Sequence, residues 1–405
     1  MTNHSTRRQF LHSAATGALA LAASSTRATA KAEKPSLPLP GGDLNLLTDP
    51  RFTVGAKFRM GQFIQKGADP KAAEAIFRSL TDLEPQPWVD AWSRLAQPLE
   101  TQGATLEAQG KTEEASAAFQ KASFYYGIAK FPVINHPAKQ AAYRKCIETF
   151  LKAARYLDPP LERVAIPFEG KEIVGYLRLP KGISRPPVVI ATGGVDVYKE
   201  ERENSDLLDA GLAAFATDMP GNGECPLWYT ADAERFYTAI IDYLVKRDDV
   251  DGQRLGILGR SYGGYWGGKM AYVESKRLRA AVDWGGPIHY TFQEPWLRGL
   301  KDDKLYLWSI LDSMIYANHV KDFDELLRQA PTLSLKAQGW FNKPAAPLLA
   351  VNGAKDGWIT IQDAYILLES GDPKAARVYP EGGHMGGDPG ANKLVMNWLR
   401  AQLLR

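Results

Sequence analysis

Two kinds of hydrophobic spacing divide this chain. Between about residues 49 and 158 apolar positions recur at intervals of three and four, as in Ala115, Ala118, Phe119, Ala122, Tyr126 and Ala129, then Tyr143, Ile147, Phe150, Leu151 and Ala154. That spacing puts one apolar stripe on each of several helices and predicts a helical domain. The Ala-rich stretch 114–132 has the look of a helical repeat, but no second copy follows at a fixed period, so ordinary helix packing is the better account. Pro159 and Pro160 close the helical pattern, and from Leu161 short β-branched runs separated by turns take over: 164–168, 172–179, 187–191, 213–217, 255–258, 280–283, 348–351 and 376–379. Most of the later runs alternate with helical stretches. This predicts an α/β domain over 161–405, with a mainly parallel sheet, helices on both faces and functional loops at the carboxyl ends of the strands. A Pro- and Gly-rich segment from Lys31 to about Asn45 reads as an extended leader, so the helical domain with its leader covers 31–160.

The first thirty residues do not fit either pattern. Thr6-Arg7-Arg8-Gln9-Phe10-Leu11, a weakly apolar stretch 13–23 and Ala28-Thr29-Ala30 stand in the order of a twin-arginine signal, so residues 1–30 are expected to be cleaved near Lys31. The expected partner for this step is the twin-arginine export machinery, and the expected location is periplasmic or secreted. Removing Arg7, Arg8 and Arg27, with no acid, brings the 49 basic residues level with the 46 acidic ones. A balanced chain without a basic run lacks the charge to displace counterions from a polyanion, so nucleic acid is not an expected partner. No apolar run is long enough to span a bilayer. Two cysteines, Cys146 and Cys225, make neither a disulfide framework nor a thiolate metal site and are expected to be separate thiols. The sequence leaves the oligomeric state open, a homodimer included.

Chemistry is concentrated in three loops. Gly259-Arg260-Ser261-Tyr262-Gly263 is a G-x-S-x-G turn between an apolar strand and a Gly-rich helix start, the context in which a sharp turn lifts a serine hydroxyl into a cleft. A serine at its ordinary pKa is a weak nucleophile. It needs a histidine to take its proton and an acid to orient that histidine. After the strand 348–351, Asn352-Gly353-Ala354-Lys355-Asp356 supplies the acid, and after the next strand Gly382-Gly383-His384 supplies the base. Ser261, Asp356 and His384 are therefore the expected catalytic triad, while His136, His289 and His319 read as structural or surface residues. An oxyanion needs two backbone N–H donors. Tyr262 offers one, and Gly194 or Val195, in Thr192-Gly193-Gly194-Val195-Asp196, offers the second. Asp218-Met219-Pro220-Gly221-Asn222-Gly223 reads as architectural. The stretch 288–343 reads as a lid insertion whose aromatics, Tyr290, Trp296, Tyr306, Trp308, Tyr316 and Trp340 among them, either line an acyl or aryl pocket or form the lid's own core.

With these residues in place the chain resembles the α/β-hydrolase group with an N-terminal helical cap, which includes dihydroxypseudooxynicotine hydrolase, fungal polyketide-shortening hydrolases and fermentation-respiration switch esterases. The resemblance rests on Tyr125-Tyr126 and Ala129-Lys130-Phe131-Pro132, on Gly193-Gly194-Val195-Asp196 with Lys199-Glu200-Glu201, and on the Ser261 turn, Asp356 and His384. It implies the α/β-hydrolase fold and hydrolysis of an ester, or of a carbon–carbon bond next to a ketone, in a cleft between cap and catalytic domain, on a small-molecule substrate. Carbon–carbon cleavage in the group implies an extra acidic or phenolic group, for which Tyr198, Asp283 and Glu294 are the candidates. The Gly259–Tyr265 stretch is also similar to the elbow of prolyl-oligopeptidase-type peptidases, but no β-propeller precedes it. The expected chemistry requires no metal and no organic cofactor.

Overall fold

The computed structural model describes residues 44–202, 204–369 and 374–405, so the expected signal over 1–30 and the leader up to residue 43 lie outside the described residues. Five helices come first: α1 (Thr53–Gln65), α2 (Pro70–Ser79), α3 (Pro85–Ala108), α4 (Thr112–Ala129) and α5 (Pro137–Ala154). Their starts follow from local chemistry. Asp69 accepts the Ala72 N–H at 2.8 Å and Pro70 occupies the first turn of α2, where the missing N–H costs nothing. His136 does the same for α5, its Nδ1 accepting from Ala138 N ahead of Pro137, which accounts for this histidine structurally.

Eight strands follow as β1 (Leu161–Phe168), β2 (Lys171–Arg178), β3 (Pro187–Thr192), β4 (Ala213–Thr217), β5 (Asp251–Arg260), β6 (Leu278–Trp284), β7 (Leu348–Gly353) and β8 (Lys374–Tyr379). They form one sheet in the order β1-β2-β4-β3-β5-β6-β7-β8. The β1/β2 and β2/β4 pairs are antiparallel and every pair from β4/β3 onward is parallel. Both faces are covered. Ile190, Phe215 and Ile257 face the helices Arg235–Leu244 and Gly264–Val273, in an apolar cluster continuous with the first five helices. Val189, Leu258 and Val282 face a C-terminal helix (Gly390–Leu403) through Val395 and Leu399. Register then decides where the chemistry lies: Thr192 pairs with Gly259 and Gly259 with Asp283, so β3, β5 and β6 end level and their following loops meet.

The helical region is bound to the sheet by buried charge as well as by apolar packing. Lys199, wholly buried in a single turn after β3, donates to Asp218, Glu224 and Glu200 at 2.9, 2.7 and 2.8 Å. Tyr143 of α5 and Tyr176 of β2 donate to the two Glu200 oxygens at 3.1 and 2.8 Å. Burial opposes the Lys199 charge, yet the carboxylates facing it outweigh that cost and hold its pKa well above the ordinary value. Lys130, at the end of α4, reaches Glu201 and the Asp196 carbonyl, both at 2.7 Å, and lies 3.6 Å over the Tyr198 ring. Lys130 and Lys199-Glu200-Glu201, which carry part of the family resemblance, are thus the joint between helices and sheet. Removing one member of such a set leaves its partners buried and uncompensated, so Lys199→Ala is expected to cost about 3–5 kcal/mol in urea unfolding.

Candidate active site

The three predicted residues meet. Ser261 stands at the end of β5 with φ of +54°, a left-handed conformation that costs a non-glycine residue energy and is held by its surroundings. Its Oγ lies 2.8 Å from His384 Nε2, and His384 Nδ1 lies 2.7 Å from Asp356 Oδ2. Asp356 is buried, and its other oxygen accepts the N–H groups of Trp358 and Ile359 at 2.9 and 3.2 Å. Burial by itself raises this carboxyl, but His384 and the donors around it prevail and hold it below the usual carboxylate range. Asp356 is therefore ionised at neutral pH and fixes the tautomer in which Nε2 faces the serine.

Asn352, passed over in the sequence as part of a turn, connects the two loops. Its amide donates to Asp356 Oδ2 at 3.0 Å and its carbonyl accepts the Met385 N–H at 2.9 Å. Met385 itself has φ of +59°, and its carbonyl accepts the Trp284 indole N–H at 2.7 Å. The Trp358 ring meets the imidazole edge-on at 5.1 Å. These contacts bring together residues far apart in the chain, so spacing along the sequence carried no sign of them.

Around the serine the fold leaves no room for side chains. A Cβ on Gly263 would lie 2.0 Å from the Gly193 carbonyl, and one on Gly194 would lie 2.8 Å from Ser261 Oγ. The Gly194 backbone is thus pressed against the Ser261 side chain, and Tyr262 follows that serine in the chain. Asn222 donates to the Gly194 carbonyl at 2.8 Å, so the loop read as architectural also sets the candidate oxyanion strand. Tyr262 is held at both ends: Asn318 of the lid donates to its hydroxyl at 3.1 Å, and Tyr229, from the loop after β4, donates to its carbonyl at 3.1 Å.

The three candidates for an extra pocket group separate. Glu294 has a side chain 58% exposed and pairs with Arg298 one helical turn away, so it is a surface residue and not a pocket acid. Asp283 is buried behind the elbow, where its Oδ1 accepts the Gly286 N–H at 2.7 Å and would lie 2.3 Å from a Cβ on Gly264. Burial pushes its pKa well up, and the carboxyl braces the turn through Gly286. Tyr198 is buried with its ring held between Lys130 and Tyr143. His289 bonds Ser334 at 2.7 Å and His319 stacks on Trp228 at 4.1 Å, both structural roles. Cys146 and Cys225 are free thiols, as the sequence led us to expect. Among the described residues no group of metal-ligating side chains occurs, and no helix is long and apolar enough to cross a membrane.

The lid aromatics take up a third role beyond the two foreseen. Trp308 packs edge-on against Trp88 of α3 at 4.5 Å and Tyr306 lies 6.2 Å from Phe131, which makes them the seam between lid and helical cap. Trp296 donates to the Trp358 carbonyl at 3.0 Å and so reaches the acid loop.

Parallel sheet, strained serine turn, acid after β7 and histidine after β8 define an α/β-hydrolase with an N-terminal helical cap. Residues 68–404 match the family model described as Esterase FrsA-like, and the chain belongs to that FrsA-like esterase family. It is 33% identical over 203 residues to 2,6-dihydropseudooxynicotine hydrolase of Paenarthrobacter nicotinovorans, a match covering 49% of this chain and 55% of that protein. The chain thus spans about half the length of that relative. It is 28% identical over 291 residues to Esterase FrsA of Vibrio cholerae serotype O1, covering 70% of this chain and 69% of that one. A crystal structure of 2,6-dihydroxy-pseudo-oxynicotine hydrolase superposes with a TM-score of 0.71 at 25% identity, over 85% of this chain and 95% of that one. AbyA5, at 22% identity and a TM-score of 0.64, shares the fold.

The close contact at Gly194 makes a direct prediction. Gly194→Ala drives a methyl group into Ser261 Oγ and displaces the adjoining N–H donors. Labelling of Ser261 by a fluorophosphonate is expected to slow on the order of 10²–10³-fold, as when an oxyanion donor is lost, with the far-ultraviolet circular dichroism retained.

Proposed function

We propose that this protein is a serine esterase working through an acyl-enzyme on Ser261. One observation carries the reading: Ser261 Oγ, His384 and Asp356 form an unbroken hydrogen-bonded line of 2.8 and 2.7 Å beside the Gly194–Val195 backbone. His384 Nε2 takes the hydroxyl proton as Oγ attacks the ester carbonyl. The N–H groups of Tyr262 and of Gly194 or Val195 receive the negative charge on the tetrahedral oxygen. His384 returns its proton to the departing alcohol, then takes one from a water that attacks the acyl carbon, and hands it to Ser261 Oγ as the acyl bond breaks and the acid leaves.

Carbon–carbon cleavage, the activity the resemblance also implied, is supported less well. Two of its three candidate acids are committed elsewhere, Asp283 to the elbow and Glu294 to the surface. The decisive experiment compares short and aryl acyl esters with a β-diketone, in the parent protein and in Ser261→Ala. Ester turnover is expected, falling on the order of 10⁶-fold in the variant. Diketone cleavage with little ester turnover would refute the esterase reading, and activity surviving in Ser261→Ala would refute the nucleophile. We further propose twin-arginine export with cleavage near Lys31. Replacing Arg7 and Arg8 with Lys is then expected to keep the protein in the cytoplasm of the producing cell, as read by fractionation and N-terminal sequencing.

A further inference from the structure

Two cations without adequate partners lie in the seam between cap and lid. Arg59 of α1 is 5% exposed, and its one ion-pair contact, Nη1 to Asp196 Oδ2, is 3.5 Å, long for a charge-assisted hydrogen bond. Its Nε and Nη2 are buried without any hydrogen-bond partner. Lys139 of α5 is 2% exposed and makes no hydrogen bond or ion pair among the described residues. The two flank one aromatic group: Arg59 lies 4.3 Å over Phe131 and 5.0 Å over Tyr306, Lys139 lies 5.3 Å over Trp308, and Phe131 and Trp308 are 5.3 Å apart. Of the acids nearby, Asp196 faces Arg59, Glu201 is bound to Lys130, and Asp312 acts on Lys139 only at a distance. A guanidinium with buried free donors and a buried ammonium without an ion pair, on one aromatic group, are an arrangement that folding alone disfavours.

The seam adjoins the catalytic residues on two sides. Asp196 is two residues past Gly194, a span of at most about 7 Å of chain, and a Cβ on Gly194 would touch Ser261 Oγ. From the other side Tyr306 packs on Trp358 at 5.6 Å and Trp358 on His384 at 5.1 Å. We infer that Arg59 and Lys139 form an anion-binding subsite, and that the esters this protein cleaves carry a carboxylate which the two cations bind while the carbonyl lies at Ser261. The Arg59 fork presents the two parallel donors that a carboxylate accepts, and the Phe131, Tyr306 and Trp308 rings exclude the water that would otherwise solvate it. This deepens the esterase reading and rests on it.

Two ester pairs test it: mono-(4-nitrophenyl) glutarate against 4-nitrophenyl valerate, with the charge on the acyl side, and 4-acetoxybenzoate against its methyl ester, with the charge on the leaving group. The parent protein is expected to favour the charged member of at least one pair. Arg59→Gln and Lys139→Met are each expected to reduce that ratio of kcat/KM roughly ten- to a hundredfold, and Lys139→Arg to restore part of it. No preference in either pair, or a preference unchanged in both variants, would overturn the subsite. Glutarate titrated calorimetrically into Ser261→Ala is expected to bind, and to bind more weakly once Lys139→Met is added. This readout needs no turnover, so it separates failure of the subsite from failure of the esterase assignment.

Stability supplies a second readout. Burial, with Lys130 adding to it, pushes Lys139 down to about 8, so between that value and the ordinary lysine range the folded protein binds fewer protons than the unfolded chain. The penalty is fully present below pH 8 and fades as pH rises toward 10. Lys139→Met is therefore expected to raise Tm at pH 7, by an amount that shrinks at higher pH. A fall in Tm together with an unchanged substrate ratio would make Lys139 a packing residue and overturn its part in the subsite.

Discussion

Everything at this site depends on how closely two backbones approach. The turn after β5 and the loop after β3 meet where a Cβ on Gly263 would lie 2.0 Å from the Gly193 carbonyl. Only this approach lets the peptide at Gly194 stand beside Ser261 Oγ, and only a strained serine, at φ of +54°, points that oxygen out of the turn toward His384. Strain of this kind persists because neighbours overdetermine it. Here they are the level ends of β3, β5 and β6, the Asp283 carboxyl behind the turn, and Asn222 holding the Gly194 carbonyl.

The cap is joined to that frame by charge in a way that also orders the loop after β3. Lys199 and Lys130 sit on either side of the short stretch that starts at Gly193, one fixed by Asp218, Glu200 and Glu224, the other bound to Glu201 and to the Asp196 carbonyl. Helices α4 and α5 thereby bear directly on the candidate oxyanion strand. A cap held only by apolar contact could slide, because such contact has little directional preference. Buried charge pairs tolerate few geometries and so fix a register, which is the use for which they are best suited.

The sequence was most informative where one short segment carries a whole requirement. The Ser261 turn, the acid after β7 and the histidine after β8 each have their own strand and glycines, and the central strands β3, β4 and β7 were visible as apolar runs because they are buried on both faces. What spacing could not show was pairing across the chain. Asn352 joins Asp356 to Met385, Asn318 reaches the Tyr262 hydroxyl from the lid, and Glu294, acidic and near in sequence to the lid aromatics, turns out to face solvent. The aromatics of the lid posed a choice between pocket and core that periodicity could not resolve, because the surface they cover belongs to another domain: Trp308 on Trp88, Tyr306 on Phe131.

That seam is also where folding and function pull apart. Several buried cations in the interior are matched by carboxylates: Lys199 has three, Lys130 has Glu201, and Lys269 has Glu234 at 3.0 Å. Among the described residues Arg59, with two unpartnered donors, and Lys139, with no ion pair, depart from that pattern on neighbouring rings of one aromatic group, and Arg59 faces Asp196 of the loop that approaches Ser261. A local departure from good packing that serves nothing tends to be removed by mutation, since most replacements there would stabilise the fold. Two such departures, linked through the Phe131–Trp308 ring pair, have a common physical remedy, which is one anion supplied from outside. The aromatic walls that make the free cations costly are what would make them selective, since in a site without water a carboxylate gains its full hydrogen-bonding strength and a neutral group of the same shape leaves the donors unpaired.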